Sequence, residues 1–451
     1  MNEQLAEGAW LPLTLAQLDF WEEFRLHPGA GVSTVAHAVE LQGVDQPAAL
    51  ARAILQTIAE TDAMALRLRL GRDGQPRQRV AAGARPDLRA LDLADASQPR
   101  DRAFELMHHD VAAPLDLLTA PISAQWLIRL GPGHYIWYNR NHHIAVDGYA
   151  MALIEQRCAR LYTAHRCGRD SASGPKLRPL RDYLCEEASY RASSRHDADG
   201  QHWQRLLSDA PRPQVLQKGS ENYPARPLAA GHDLTGLRAP LLAQAERLSL
   251  GWPDLASMLC AVWAGLRLDD GAVRREMQGK AILMPVWLPF MGRMGSVSAA
   301  IPALVVNILP LLVRLDPSRS LAQTLTELAG QLRLMRRHGR YRIEQIAADC
   351  GIGHRSRFFF SPLVNVLPFD PPQFAGCDCD RHVLSNGPGD GFNITLRGDS
   401  RADGLHLWVE ADPQLTPAAG FRGLAADLPR FLARGLEPAR LDQPLYRMIE
   451  P

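Results

Sequence analysis

Residues 134–150 read HYIWYNRNHHIAVDGYA, and the order of residue types in this stretch decides the fold around it. Tyr135, Ile136, Trp137 and Tyr138 are strong strand formers. Ahead of them, Gly131-Pro132-Gly133 turns the chain back from a second strand-like stretch, 122–130. Beyond Asp147 and Gly148, the apolar residues Ala150, Leu153, Ile154, Cys158 and Leu161 recur at helical spacing. Residues 141–148 (NHHIAVDG) therefore form a strand-to-helix loop. Such a loop can present a side chain to a cleft, and the helix N-terminus behind it adds a positive dipole. His143 is the natural proton acceptor there, because imidazole titrates near neutral pH. It is preceded by His142. Asp147, four residues on, is placed to orient the loop or a cation, and Gly148 permits a close backbone approach. From ordinary residue frequencies, His-His-x-x-x-Asp-Gly arises by chance in roughly one chain in a thousand of this length.

Working outward, the first third mixes strand and helix. Val35, His37, Val39 and Leu41 alternate as one face of a strand. Leu50, Ile54 and Ile58 mark a helix over 47–61, and 66–70 alternates again. The polar run 169–175 (RDSASGP) predicts a boundary between two lobes, 1–175 and 176–451. In the second half, helical spacing covers 180–207, 237–248, 252–266, 321–337 and 417–434. Strand patterns cover 282–287, 305–315, 363–367, 392–397 and 405–409. With 451 residues, 46% of them hydrophobic, the chain can bury two cores. The expected class is α/β in two lobes.

HHxxxDG is the signature of the condensation domains of nonribosomal peptide synthetases, and a shorter HxxxD marks the related chloramphenicol acetyltransferase-like superfamily. Other stretches resemble that family in order and spacing. They are 12–17 (PLTLAQ) with Trp21, Glu60-Thr61-Asp62 with Arg67 and Arg69, 251–254 (GWPD), 288–291 (LPFM) with Arg293 and Gly295-Ser296-Val297, 338–345 (HGRYRIEQ) and 361–369 (SPLVNVLPF). Within the family they resemble the free-standing condensation (amide synthase) enzyme of vibriobactin-type siderophore biosynthesis and, more distantly, the first domain of the enterobactin synthetase. The resemblance runs from Pro12 to about Leu436. It implies two chloramphenicol acetyltransferase-like lobes forming a V-shaped pseudo-dimer. It also implies Trp287 and Asn365 on the acceptor side. The family's arginine after Ala16-Gln17 is replaced by Leu18-Asp19, so the sequence names no cation for Asp147. From the residues alone, Trp287 ends an apolar run (AILMPVW) and equally suits a core. Asn365 lies in an apolar strand and needs a hydrogen-bond partner of some kind.

The implied activity joins an acyl thioester to an amine. The donor is carried on the phosphopantetheine arm of an aryl or acyl carrier protein in trans, with no bound cofactor and no metal. An aryl acyl group and a soluble di- or polyamine acceptor follow from the resemblance. The alternatives are an excised domain taking a carrier-bound amino acid, a coenzyme A-dependent acyltransferase of the same superfamily, and a non-catalytic domain that recruits carriers. About fifteen residues follow Leu436, and no adenylation segment, carrier segment, P-loop or dinucleotide fingerprint is recognisable. Activation of the acyl group is therefore expected on another polypeptide, unless the chain is an excised domain.

With 50 basic and 49 acidic residues, the net charge of +1 indicates neither nucleic acid nor membrane as a partner. The basic run Arg333, Arg336, Arg337, His338, Arg340 and Arg342 reads as a solvated helix face, or as a contact for an acidic carrier. Residues 1–8 lack the apolar centre of a signal peptide. The longest apolar run, 301–313, is about two-thirds of a membrane span and contains Asn307 and Pro310. Seven scattered cysteines, with a lone Cys377-x-Cys379, read as reduced thiols of a cytoplasmic protein.

Overall fold

The computed structural model describes residues 9–169, 175–210, 213–224, 226–268 and 282–448. The chain forms two compact units, which exchange segments. The first comprises residues to 193 together with 293–306 and 371–388, and the second holds 194–292, 307–370 and the remainder from 389. The polar run 169–175 predicts one boundary, and its residues 170–174 lie outside the described residues. The first unit instead runs through the helix Leu180–Arg191 and later takes back two segments. Long-range returns of this kind leave no periodic trace in the chain.

In the first unit, the described residues form a five-stranded sheet in the order Asp378–Asn386, Thr34–Gln42, His134–His142, Ser123–Gly131, Leu88–Asp92. All neighbours are antiparallel except the last pair. Alternation divides the sheet's residues between two faces. On one face Ala36, Ala38, Ile128, Ile136 and Tyr138 form a core with Ala103 and Met107 of the helix Pro99–Ala112. On the other, Val35, Val39, Leu41, Leu127 and Trp137 share a core with the helices Pro47–Glu60 and Gly148–Arg166. The strand that ends in the paired histidines is thus the middle of the sheet, with partners on both sides. Pro47 starts its helix at a position where a missing N–H costs nothing.

In the second unit, the described residues form a mixed six-stranded sheet. Its order is Asn307–Leu315, Ile282–Phe290, Leu363–Pro368, Phe392–Gly398, His406–Ala411, Leu228–Asp233. The three strands Ile282–Phe290, Leu363–Pro368 and Phe392–Gly398 run parallel. The helix Trp252–Arg267 is buried from Met258 to Leu266, and Leu321–His338 and Ala418–Gly435 join the same core. The apolar run 301–313 is no span. Its second half is the strand Asn307–Leu315, and the Asn307 amide donates to the carbonyls of Gly339 and Tyr341 at 3.0 and 2.9 Å. No helix among the described residues is long and apolar enough to cross a membrane.

Candidate active site

The loop 142–147 is built from its own backbone outward. His142, paired with Thr34, ends the central strand. The His142 N–H donates to the Ile122 carbonyl at 2.9 Å and the His143 N–H to the Ser33 carbonyl at 2.7 Å. The Ile144 N–H donates to His142 Nδ1 at 3.1 Å, which closes the turn on the first imidazole. That acceptor role fixes the neutral tautomer with its proton on Nε2. Burial, followed by the neighbouring charges of His143 and Arg140, pushes the His142 pKa down to about 3.

His143 is half-buried and its nitrogens have different surroundings. Nδ1 is enclosed and makes no hydrogen bond among the described residues. Nε2 has no protein partner among the described residues and is not enclosed. Nε2 is therefore the ring nitrogen open to a bound group. Burial lowers the pKa against the opposing charge of Asp147, so the ring is neutral at pH 7.

Two residues fix the ring plane. The Phe20 ring stacks on His143, with centroids 4.6 Å apart and planes 11° from parallel. Gly387, at φ +87°, lies so close that a Cβ there would stand 2.4 Å from His143 Cδ2. Only glycine satisfies both that conformation and that approach.

Asp147 does not reach into the loop; it anchors it. The Asp147 side chain caps the helix Gly148–Arg166, accepting the Ala150 N–H at 2.8 Å on Oδ1. Arg293 Nη2 donates to Oδ1 and Oδ2 at 2.8 and 2.9 Å, and the Val305 and Val306 N–H groups donate to Oδ2 at 2.9 Å each. Arg293 also donates to the carbonyls of Ser298, Ile301 and Ala303. Burial alone would raise the carboxyl pKa, but Arg293 and the three N–H groups outweigh it and hold it below the usual value. Gly148 is exposed at the start of the helix. Arg293 is thus the cation that the sequence could not name.

Two sequence stretches acquire a physical meaning from these neighbours. Gln17 forms a capping box with Thr14 and donates from Nε2 to the Ile144 carbonyl at 3.2 Å, bracing the loop. Glu60 receives Arg157 Nε and Nη2 at 2.7 and 2.9 Å, and Arg157, on the helix that follows the loop, is fully buried.

His142, His143, Asp147 and Gly148 are gathered in the first unit, whereas Trp287 and Asn365 belong to the second. There Trp287 pairs with Leu363 in register, and Asn365 follows two residues along on the same face. Trp287 is 1% exposed and packs against Phe358 and Phe360, with ring centroids 5.4 and 5.0 Å away. Asn365 is half-buried opposite Thr395. In the basic run, Arg336 is held by Asp254 and Arg342 by Glu344, while Arg333 and Arg337 are exposed. The described residues hold no His, Cys, Asp or Glu cluster suited to a metal ion.

Comparison with known proteins agrees with this geometry. The family model for the Condensation domain matches residues 9–370. The isonitrile lipopeptide synthase of Streptomyces coeruleorubidus is 32% identical over 431 residues, covering 94% of this chain and 28% of that protein. Enterobactin synthase component F of Escherichia coli O157:H7 is 31% identical over 415 residues, covering 90% of this chain and 30% of that protein. The chain therefore spans less than a third of the length of these two relatives. Among solved structures, VibH, an NRPS condensation enzyme, matches with a TM-score of 0.82 at 32% identity, covering 96% of this chain and 100% of that one. The two α/β units correspond to the chloramphenicol acetyltransferase-like lobes of such domains. On its motif, its loop geometry and these likenesses, the chain belongs to the condensation-domain family, the amide-forming acyltransferases of nonribosomal peptide synthesis.

Proposed function

We propose that the chain joins an aryl acyl thioester, presented on the phosphopantetheine arm of a carrier protein in trans, to a soluble di- or polyamine. The observation that carries the chemistry is the open Nε2 of a neutral, rigidly held His143. A thioester is already activated, so much of the rate comes from holding donor and amine in register. As the amine nitrogen bonds to the thioester carbon, it sheds a proton to His143 Nε2 and the carbonyl oxygen becomes an oxyanion. Collapse of that intermediate breaks the C–S bond, and the proton passes from His143 to the departing sulfur. His142 shapes the turn, Asp147 anchors the loop and Gly148 starts the helix. Trp287 and Asn365 belong to the acceptor side.

The aryl donor and free amine are supported by the motif resemblance to the vibriobactin-type enzyme, together with the relatives from enterobactin and vanchrobactin synthetases. A second reading, a lipid acyl donor, is favoured by the likeness to a lipopeptide synthase. The test mixes the purified protein with carriers bearing aryl or alkyl acyl groups, the matching coenzyme A thioesters, and free or carrier-bound amines, with products read by mass spectrometry. Amide from aryl carrier and free polyamine is the expected product. Amide only from coenzyme A thioesters, or only with a carrier-bound amino acid, contradicts the reading.

A further inference from the structure

On the strands Phe392–Gly398 and His406–Ala411, Ile394, Leu396, Leu407 and Val409 point into the core of the second unit and are at most 1% exposed. The alternate residues form the sheet's other face, and register sets two rows across it. In one row Asn365 pairs with Thr395, Thr395 with Trp408 and Trp408 with Gly231. In the next, Leu363 pairs with Asn393, Asn393 with Glu410 and Glu410 with Ala229. Trp287 pairs with Leu363, so Asn365 and Trp287 each head one row.

Both rows are polar and open. Glu410 is half-buried, and its carboxylate has no hydrogen-bond or ion-pair partner among the described residues. The side chains of Asn365, Asn393 and Thr395 also lack a partner among the described residues, and none of their polar atoms is enclosed. Trp408 is 37% exposed, and its ring spreads over Gly231, where a Cβ would stand 2.8 Å from Cε3 and Cζ3. The other charges on this face are engaged or set apart. Asp233 accepts the Thr235 N–H and hydroxyl at 2.8 and 2.6 Å. Arg397 pairs with His406 on the far side of Trp408, about 13 Å along the strand from Glu410. Burial, then Arg397, holds the His406 pKa below its ordinary value, so that ring is neutral at pH 7.

We propose that Glu410 and Trp408 hold the distal ammonium of a polyamine acceptor, whose chain lies along these rows with its reacting amine at the Asn365 end. The inference rests on the soluble-amine reading above and names the groups that select the acceptor's length. An ammonium gains from a facing carboxylate and from an indole π face, and the two stand two residues apart on one strand. Neighbouring strands lie about 4.8 Å apart, so Asn365 and Trp408, two strands from each other, are about 10 Å apart. An extended chain advances about 1.2 Å per bond, which sets the reacting and bound nitrogens roughly eight bonds apart. A triamine of three- and four-carbon links covers that distance, whereas a three-carbon diamine falls short. The Asn393 and Thr395 oxygens lie between and accept from the middle nitrogen.

The test compares spermidine, N-butyl-1,3-diaminopropane and 1,3-diaminopropane as acceptors at one fixed acyl carrier, with kcat/KM read by mass spectrometry. N-butyl-1,3-diaminopropane keeps the length of spermidine and lacks only its terminal amine. The wild-type protein is expected to favour spermidine over both by at least about fivefold. Glu410→Gln and Trp408→Ala should each raise the KM for spermidine about two- to fivefold and narrow that preference, with the KM for the acyl carrier unmoved and melting temperatures measured alongside. Equal wild-type use of spermidine and its butyl analogue, or an unchanged spermidine KM in Glu410→Gln, would overturn the subsite. If a variant fails to fold, the wild-type panel still decides. Amide formation from no soluble amine would instead overturn the proposed function; calorimetric binding of spermidine, weakened in Glu410→Gln, would then still support the subsite, and equal binding would overturn it.

Discussion

His142 has its Nδ1 lone pair committed to the Ile144 N–H, while His143 keeps Nε2 open. The buried, neutral His142 has a consequence for stability. The unfolded chain protonates this histidine near its ordinary pKa of 6.5, whereas the folded chain resists until about pH 3. The unfolded state thus binds more protons in that window, and stability falls as pH drops from 6.5. From pH 6.5 to 5 this residue alone should cost about 2 kcal/mol. His142→Asn, which keeps an acceptor without a titrating ring, should flatten denaturant-unfolding stability over that interval; an unchanged slope would count against the assignment. Phe20 makes a different prediction, because it orients His143 and shields it. Phe20→Ala should lower kcat by about tenfold and move the acid limb of the rate profile up toward pH 6.5. Phe20→Tyr, which keeps the ring, should restore both; an acid limb that stays in place would show that stacking does not hold the base. Sequence alone singled out His143 because a paired-histidine motif is rare. It could not find Phe20 or Gly387, whose roles depend on tertiary neighbours 123 and 244 residues from His143.

Asp147 joins two elements, the helix Gly148–Arg166 and the returning segment 293–306, through Arg293 and the Val305 and Val306 N–H groups. Removing one side of a buried ion pair leaves the other uncompensated, at a cost of about 3–5 kcal/mol. Asp147→Ala and Arg293→Ala should therefore each lower the melting temperature and reduce soluble yield, besides lowering activity. A wild-type melting temperature for either would mean that this junction carries little load. The elements on either side were legible from periodicity, since 34–42, 47–60, 134–142 and the helix from 148 all have apolar residues at regular spacing. Strand Asp378–Asn386 was not, because its sequence is mostly polar: its Arg381 and His382 are held by Glu155 and Glu40 instead of by apolar burial. The expected helix over 180–207 proves to be two, Leu180–Arg191 and Ser194–Ser208, with Ser193 hydrogen-bonded back to Tyr190 between them.

At the scale of the whole molecule, the two-lobe α/β class was readable from the order of elements, whereas the exchange of segments between units was not. Each unit carries its own part of the account. In the second, Asn365→Ala should raise the apparent KM for the amine more than for the acyl carrier, and the reverse would place Asn365 on the donor side. Trp287→Ala is a poorer probe, because removing a buried indole from a packed core should itself cost about 3–5 kcal/mol. The first unit carries the central claim, that His143 Nε2 takes the amine proton. The most direct test is single-turnover amide formation by His143→Ala with a preloaded aryl carrier and saturating polyamine, after its melting temperature has been matched to wild type. The expected result is a rate about 10²- to 10⁴-fold lower, with the wild-type acid limb below pH 6.5 abolished. A variant that forms amide at the wild-type rate, with the same pH dependence, would contradict it.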